Sequence, residues 1–288
     1  MPKHIVCLTF DFDGISGFIA RGQTTPGWLS RGEFGPRVGV PRLLALLKKY
    51  DIRSSWYVPG HTIETFPDAV RAVVAADHEI GHHGWTHRPP AMLTPQQEEA
   101  ELLRANAAIR DISGQAARGY RSPSWDLSPH SVDLLLSHGF TYDSSMMGND
   151  YTPYFARQGD VITLHEPARF GSPGALVEMP IHWSTDDSPH FEFVRTATNL
   201  RRGLMRSRDV EENWVNDFLY MQDCTDWGVL TYTCHPFIIG RGHRIMMLER
   251  VIRRLLEHGA VFQRMDDTVA EFTARHQAAA AGMRLPQG

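Results

Sequence analysis

The sequence predicts an α/β chain folded as one (β/α) barrel of seven or eight units, closed or nearly closed, with its site at the carboxyl ends of the strands. Strand-like runs alternate with helix-like ones almost to the end of the chain, the pattern of βα units around a parallel sheet. With 288 residues and no composition shift or linker, the chain reads as a single catalytic domain over residues 1–288. Polar, chemistry-bearing residues gather where the strand-like runs end, which is where barrels build their sites.

The elements follow in order. The apolar run Ile5 to Asp11 is the first strand. Pro41 opens an amphipathic helix carrying Leu43, Leu44, Leu46 and Leu47, and Ser54 to Val58 is the second strand. Pro67 starts the next helix, and His78 to His82 is the third strand. Thr94-Pro95-Gln96-Gln97 combines a capping box with proline at the first helical position, starting a long helix that runs to Ile112. The fourth strand lies at Gly119 to Arg121; Ser128 caps a helix that Gly139 ends, and Thr141 to Ser144 is the fifth strand. Leu176 to Trp183 is the sixth, two helices fill Phe191 to Asp223, and Val229 to Cys234 is the seventh. His243 to His258 is a helix closed by Gly259, followed by a short eighth strand, Ala260 to Arg264, and an Asp-capped helix. The stretches Ile15 to Arg37 and Met146 to Ala175 carry Gly, Pro and aromatics after strand ends and read as irregular pocket walls.

Composition narrows the function classes. A net charge of −4 without a Lys/Arg run argues against a nucleic-acid surface. No apolar run reaches the ~18 residues of a membrane span and no signal-peptide pattern opens the chain, so we expect no membrane partner and a cytoplasmic location. Cys7, Cys224 and Cys234 are odd in number and form no Cys-x2-Cys pair, which speaks against a disulfide framework or a cysteine zinc site.

Two segments stand out, Phe10-Asp11-Phe12-Asp13-Gly14 and His83-Gly84-Trp85-Thr86-His87. Side chains alternate along a strand, so Val6, Leu8, Phe10 and Phe12 share one face while Thr9, Asp11 and Asp13 share the other. Two carboxylates that close repel unless a cation intervenes or one stays protonated. His83 and His87 are four apart; on a helical turn their Cβ atoms would lie about 5–6 Å from each other, within the span of one metal ion. Alone, an Asp-x-Asp at a strand end is a loop cap, and a His-x3-His arises by chance among fifteen histidines. Together, at strand ends, the four are candidate ligands of one divalent metal.

Other strand ends add to the rim: Arg121-Ser122-Pro123-Ser124-Trp125, Asp143-Ser144-Ser145, Trp183 and His235-Pro236. Trp125 and Trp183 are candidate substrate-binding walls, and Asp143 a hydrogen-bonding support for the site. His82, of opposite strand parity to His83, points away; Asp186 and Asp187 read as loop caps, and Cys234 as packing.

These residues resemble the polysaccharide deacetylase family (carbohydrate esterase family 4), metal-dependent hydrolases of C–N bonds on a distorted (β/α) barrel, from Phe10 to Arg244. Thr9-Phe10-Asp11-Phe12-Asp13-Gly14 is similar to the family's aspartate motif, which implies Asp11 as catalytic base and Asp13 as metal ligand. Glu79 to His87 resembles the second motif and implies His83 and His87 as the other ligands. Arg121-Ser122-Pro123 and Thr233-Cys234-His235-Pro236 resemble two further motifs, implying that Arg121 pairs with Asp11 and that His235 is the general acid. The Asp-Phe-Asp spacing departs from the usual adjacent aspartates. With Gly240 to Arg244 and Arg37 to Arg42, it is similar to a subgroup of peptidoglycan-deacetylase-like proteins, allantoin hydrolases and cyclic imide hydrolases.

The resemblance implies a divalent metal, zinc first, and a homo-oligomer. Two His and one Asp leave coordination positions open, as a catalytic rather than structural metal requires. Without an export signal, a small cyclic imide, ureide or related amide leads as substrate, with N-acetylglucosamine-containing sugar or peptidoglycan as the alternative. A catalytically inactive metal-binding barrel serving as a binding module is the third reading.

Overall fold

Strand β1 (Lys3–Asp11) is buried along all but its first residue, because an unbroken apolar run suits the middle of a parallel sheet with both faces covered. The structure, a computed structural model, describes residues 2–196 and 200–282. Strands β2 (Ser55–Val58), β3 (Glu79–His82), β4 (Gly119–Tyr120) and β5 (Tyr142–Asp143) follow β1 side by side. Next in sequence come β6 (Tyr154–Gln158) and β7 (Ser172–Glu178), a separate hairpin of β8 (Val194–Arg195) and β9 (Leu200–Arg201), then β10 (Trp227–Cys234) and β11 (Val261–Phe262). The main sheet runs β10-β1-β2-β3-β4-β5-β7-β6, with β11 also paired to β1. Every pairing in it is parallel except β6 with β7. The sheet curls into a distorted single-domain barrel whose wall is thin where the β6 edge and the segment after β7 approach β10. There, one parallel bridge joins Asp186 to Thr233, and the Val229 N–H donates to the Tyr151 carbonyl at 2.9 Å.

Two apolar layers hold this shape. Val6, Leu8, Phe10 and Phe12 face the helices, in the large outer cluster that includes Leu43, Leu47, Leu102 and Ile109. Ile5 and Cys7 face the lumen with Tyr57, Tyr142, Val177, Met179, Val229 and Met265. The alternation read from β1 thus carries through the sheet. Gly119 is required here: a Cβ on it would come within 2.0 Å of the Tyr142 ring.

Deep in the lumen sits Glu79, which accepts hydrogen bonds from Ser55 Oγ at 2.5 Å and Tyr142 Oη at 2.6 Å. Burial, and then nearby Asp266, push its carboxyl up to about 7. The protonated form is therefore favoured in the folded chain. The associated stability is fully present below the ordinary value of 4.5 and is lost as pH rises from there through about 7. In Glu79→Gln, whose amide keeps a hydrogen at that position, denaturant melts between pH 5 and pH 8 should lose less stability than wild type. Parallel pH curves for the two proteins would remove this role.

Several expectations meet the structure directly. Thr94 and Gln97 form the reciprocal capping box of the helix Pro95–Ser113. Gly139 and Gly259 take φ of +79° where helices stop, and Val261–Phe262 is the short late strand. Others are corrected. Ile15 to Arg37 is mostly helical, with helices Ser16–Ala20 and Pro26–Phe34 and a π-turn Gly35–Gly39 leading into Val40–Lys49. Its prolines start helices instead of breaking them, and Gly32 is a contact point: a Cβ on it would meet the Gly14 carbonyl at 2.4 Å. Met146 to Ala175 contains the antiparallel β6, and the sixth expected strand lies earlier, at Ser172–Glu178. In place of two helices over Phe191 to Asp223 there is the β8–β9 hairpin and one helix, Ser207–Cys224; positions 197–199 of that span lie outside the described residues. Ser128 lies three residues ahead of the helix Ser131–Ser137, and Asp266 and Asp267 sit within the first turn of the last helix, where its dipole favours them. No helix among the described residues is long and apolar enough to cross a membrane.

Candidate active site

Asp11 and Asp13 leave the end of β1 on the lumen side and are 2 % and 8 % exposed. His83 follows β3, and Gly84, at φ +69°, turns the chain so that His87 comes back toward it. The segment is not a helical turn: His87 itself adopts φ +60°, a left-handed conformation uncommon for histidine. The two rings still converge, with centroids 4.9 Å apart. His83 Nε2 lies 3.5 Å from Asp13 Oδ1, and His87 Nε2 3.6 Å from Asp13 Oδ2.

The tautomer of His83 is decided by its other nitrogen. Nδ1 is 2.7 Å from the Arg121 carbonyl, which can only accept, so Nδ1 carries the hydrogen and Nε2 a lone pair. Burial first, against the pull of Asp11, pushes the His83 imidazole down to about 4; burial and Arg21 do the same for His87. Both rings are therefore neutral near pH 7. Asp13 Oδ1 and His83 Nε2 are buried, face each other, and have no hydrogen-bond partner. A carboxylate oxygen set against an imidazole lone pair is repulsive unless a cation lies between them. The donor set Asp13, His83 and His87, whose ligand atoms lie within 4.8 Å of one another, fits a divalent metal on these grounds.

Asp11 is held differently. Arg121, fully buried, donates from Nη1 to Asp11 Oδ1 at 2.7 Å and to Thr9 Oγ1 at 2.8 Å. Burial alone would raise the Asp11 carboxyl, but Arg121, with His83 and His235, takes it below its ordinary value. Arg121 is itself held by Ser144, whose carbonyl accepts from Nε at 3.1 Å and whose Oγ accepts from Nη2 at 3.0 Å.

On the other side of Asp13, His235 follows β10, with Nε2 4.0 Å from Asp13 Oδ2. Its Nδ1 donates to Asp187 Oδ1 at 2.7 Å, and its backbone N–H donates to Asp187 Oδ2 at 3.0 Å. Burial would lower its pKa, but Asp186 and Asp187 raise it well above the usual imidazole value. Asp186, Asp187 and His235 also form a compact ligand-type cluster, yet the short Nδ1 bond to Asp187 shows a proton in that position. Asp187 was not foreseen as part of the site. It is fully buried, whereas Asp186 does cap a short helix by accepting the Ser188 N–H at 2.6 Å. The available signal was two adjacent acids, Asp186 and Asp187, shortly after Trp183 in a segment expected to reach the convergent rim.

Trp125 and Trp183 stack face to face, with centroids 3.9 Å apart, joining the β4 and β7 ends on either side of β5. Ser124 and Trp125 are consecutive left-handed residues, at φ +59° and +55°, a strain that persists only where the surroundings hold it. Asp143 does not reach the cluster; its Oδ1 accepts from Ser145 Oγ at 2.7 Å. His82 points outward and stacks on Tyr120, and Cys234 is buried in the outer core.

Fold and site together define a barrel hydrolase. The polysaccharide deacetylase profile matches residues 1–142, and the chain is 36% identical over 274 residues to a peptidoglycan deacetylase of Helicobacter pylori, covering 91% of this chain and 93% of that one. The chain belongs to the polysaccharide deacetylase family. A Mycobacterium smegmatis crystal structure, described as a candidate polysaccharide deacetylase, superposes with a TM-score of 0.83 at 28% identity, over 96% of this chain and 92% of that one. The Puue allantoinase structure superposes with a TM-score of 0.77 over 96% of this chain and 92% of its own, and at 21% identity it shares the fold.

Proposed function

We propose that this chain hydrolyses an amide C–N bond, with Asp13, His83 and His87 holding a divalent metal, zinc first, Asp11 as base and His235 as acid. One observation carries the reading: flanking Asp13 are a carboxylate kept ionised by Arg121 at 2.7 Å and an imidazole kept protonated by Asp187 at 2.7 Å. A bound divalent ion supplies the Lewis acidity that polarises the carbonyl and brings the attacking water's pKa toward about 7. Asp11 takes the proton of that water, and Arg121 ensures that it is free to do so. His235, oriented through Nδ1, delivers the Nε2 proton to the leaving nitrogen, which would otherwise depart as an unstable amide anion. Trp125 and Trp183 form a wall for the substrate. The retained base, acid and arginine speak against an inactive binding barrel.

An N-acetylated amino sugar is the substrate class that the relatives favour, since the Helicobacter pylori protein is named a peptidoglycan deacetylase. The Trp125–Trp183 stack favours a second reading, a small cyclic imide or ureide, because it joins two rims that an open polymer groove would keep apart. A panel of N-acetylglucosamine oligomers, succinimide, hydantoin and allantoin, run with zinc-loaded protein, separates the two. Turnover of the oligomers alone supports deacetylation, and ring opening alone reverses the order. Inertness toward every compound with metal bound would favour the non-enzymatic barrel.

A further inference from the structure

Glu178 is a fully buried acid to which the chemistry above gives no task. It ends β7 and stands opposite Asp143, which ends β5. Their neighbours Val177 and Tyr142 face the lumen, so by alternation both acids face outward, away from the metal-type cluster. One oxygen of each is committed. Asp143 Oδ1 accepts from Ser145 Oγ at 2.7 Å, while Glu178 Oε1 accepts the backbone N–H of Ser145 and of Met146, each at 2.8 Å. The remaining oxygens, Asp143 Oδ2 and Glu178 Oε2, are buried with no hydrogen-bond partner, on residues directly opposed across adjacent strands.

Two ionised carboxylates so placed would repel; a single shared proton satisfies both leftover oxygens. Burial raises both acids, Asp143 to about 6 and Glu178 well above its ordinary value, which agrees with one proton in the pair at neutral pH.

The peptide joining Ser144 to Ser145 is planar and trans, so its N–H and C=O point in opposite directions. Glu178 holds the N–H outside the barrel, and the C=O on the inside accepts from Arg121 Nε at 3.1 Å. Ser144 Oγ takes Arg121 Nη2 at 3.0 Å, and Ser145 Oγ, oriented by Asp143, accepts the N–H of Ser122 at 2.8 Å. Arg121 and its chain neighbour are thus gripped by the turn that the acid pair clamps, leaving Nη1 for Asp11.

We propose that Asp143 and Glu178, sharing one proton, are positioning residues that lock the Ser144–Met146 turn and thereby aim Arg121 at Asp11. The catalytic consequence rests on the reading of Asp11 as base; the aiming of Arg121 does not, and the two are tested separately. Glu178→Gln keeps an acceptor for the two N–H groups and supplies a permanent hydrogen to Asp143. Glu178→Leu removes both, and Glu178→Asp, too short to reach the turn, serves if the leucine variant does not fold.

In crystal structures, the Arg121–Asp11 contact should persist in Glu178→Gln and be broken in Glu178→Leu or Glu178→Asp. With zinc-loaded protein and N-acetylglucosamine oligomers or hydantoin as probe, the disrupted variants should lose roughly 10²-fold in kcat with KM and zinc content unchanged, while the glutamine variant stays near wild type. An intact Arg121–Asp11 contact in the disrupted variants overturns the proposal. A glutamine variant as impaired as leucine overturns the shared proton. If wild type acts on neither probe, the reading of function fails while the crystallographic contact still decides the positioning.

Discussion

Asp11→Asn protein is expected to bind zinc as wild type does and to lose roughly 10²–10⁴ in turnover, the usual worth of a general base. The substitution is nearly isosteric, and its carbonyl oxygen can still accept from Arg121, so the pocket keeps its shape. What it loses is the capacity to take a proton. There is also a stability consequence, because Arg121 is fully buried and Asp11 is the carboxylate that balances it. Leaving a buried guanidinium without its counter-charge typically costs about 3–5 kcal/mol, so the melting temperature should fall even though metal is retained. Elemental analysis, thermal melts and steady-state kinetics on one preparation check all three. Loss of zinc in this variant would make Asp11 a ligand and overturn its assignment as base.

Asp13→Ala is expected to behave in the opposite way: no stoichiometric zinc, no turnover, and no loss of stability in the metal-free state. Asp13 Oδ1 is a buried oxygen without a partner, facing the lone pair of His83 at 3.5 Å. Burial pushes the Asp13 carboxyl up, the sign of an anion in an unfavourable place. Removing it relieves that repulsion in apo protein and removes the ligand in holo protein. Wild type should therefore melt higher on adding zinc, by mass action on the folded state, whereas the alanine variant should show no response. Equal zinc loading of Asp11→Asn and Asp13→Ala would dissolve the division of roles between them.

The parts of this site that were legible in the sequence are those that a strand's two-residue period places. Asp11 and Asp13 share a face with Thr9, and His83 shares one with Glu79, so the convergence of β1 and β3 followed from parity alone. His87 was legible as a partner of His83 only by spacing. The helical turn first assumed for it is wrong, because Gly84 and His87 both take positive φ. Asp187 was missed for a different reason: it meets His235 where the segment after β7 approaches β10, a contact of tertiary origin that no local pattern encodes. The fold divides along similar lines. Helices with a capping box or a terminal glycine lay near their expected limits, but Pro26, Pro36 and Gly32 in Ile15 to Arg37 read as loop when the prolines open helical turns and the glycine is a close contact. The antiparallel β6 lay hidden because its outer residues are solvated and carry no apolar alternation.

The thin wall where the segment after β7 meets β10 also makes the barrel unequal in its resistance to local opening. Strand β1 is laddered by β10 on one edge and by β2 and β11 on the other, so its amides are released to solvent only when most of the sheet gives way. The segment from Pro180 to Asp187 has one bridge to β10, and its backbone is otherwise held largely by its own turns. Amide hydrogen exchange should accordingly be slow on the side of the mouth that carries Asp11 and Asp13 and fast on the side that carries Asp187. The two halves of the proton inventory then stand on ground of different firmness: the carboxylates are built into the most protected strand of the molecule, while the partner of His235 rides on a margin that can breathe.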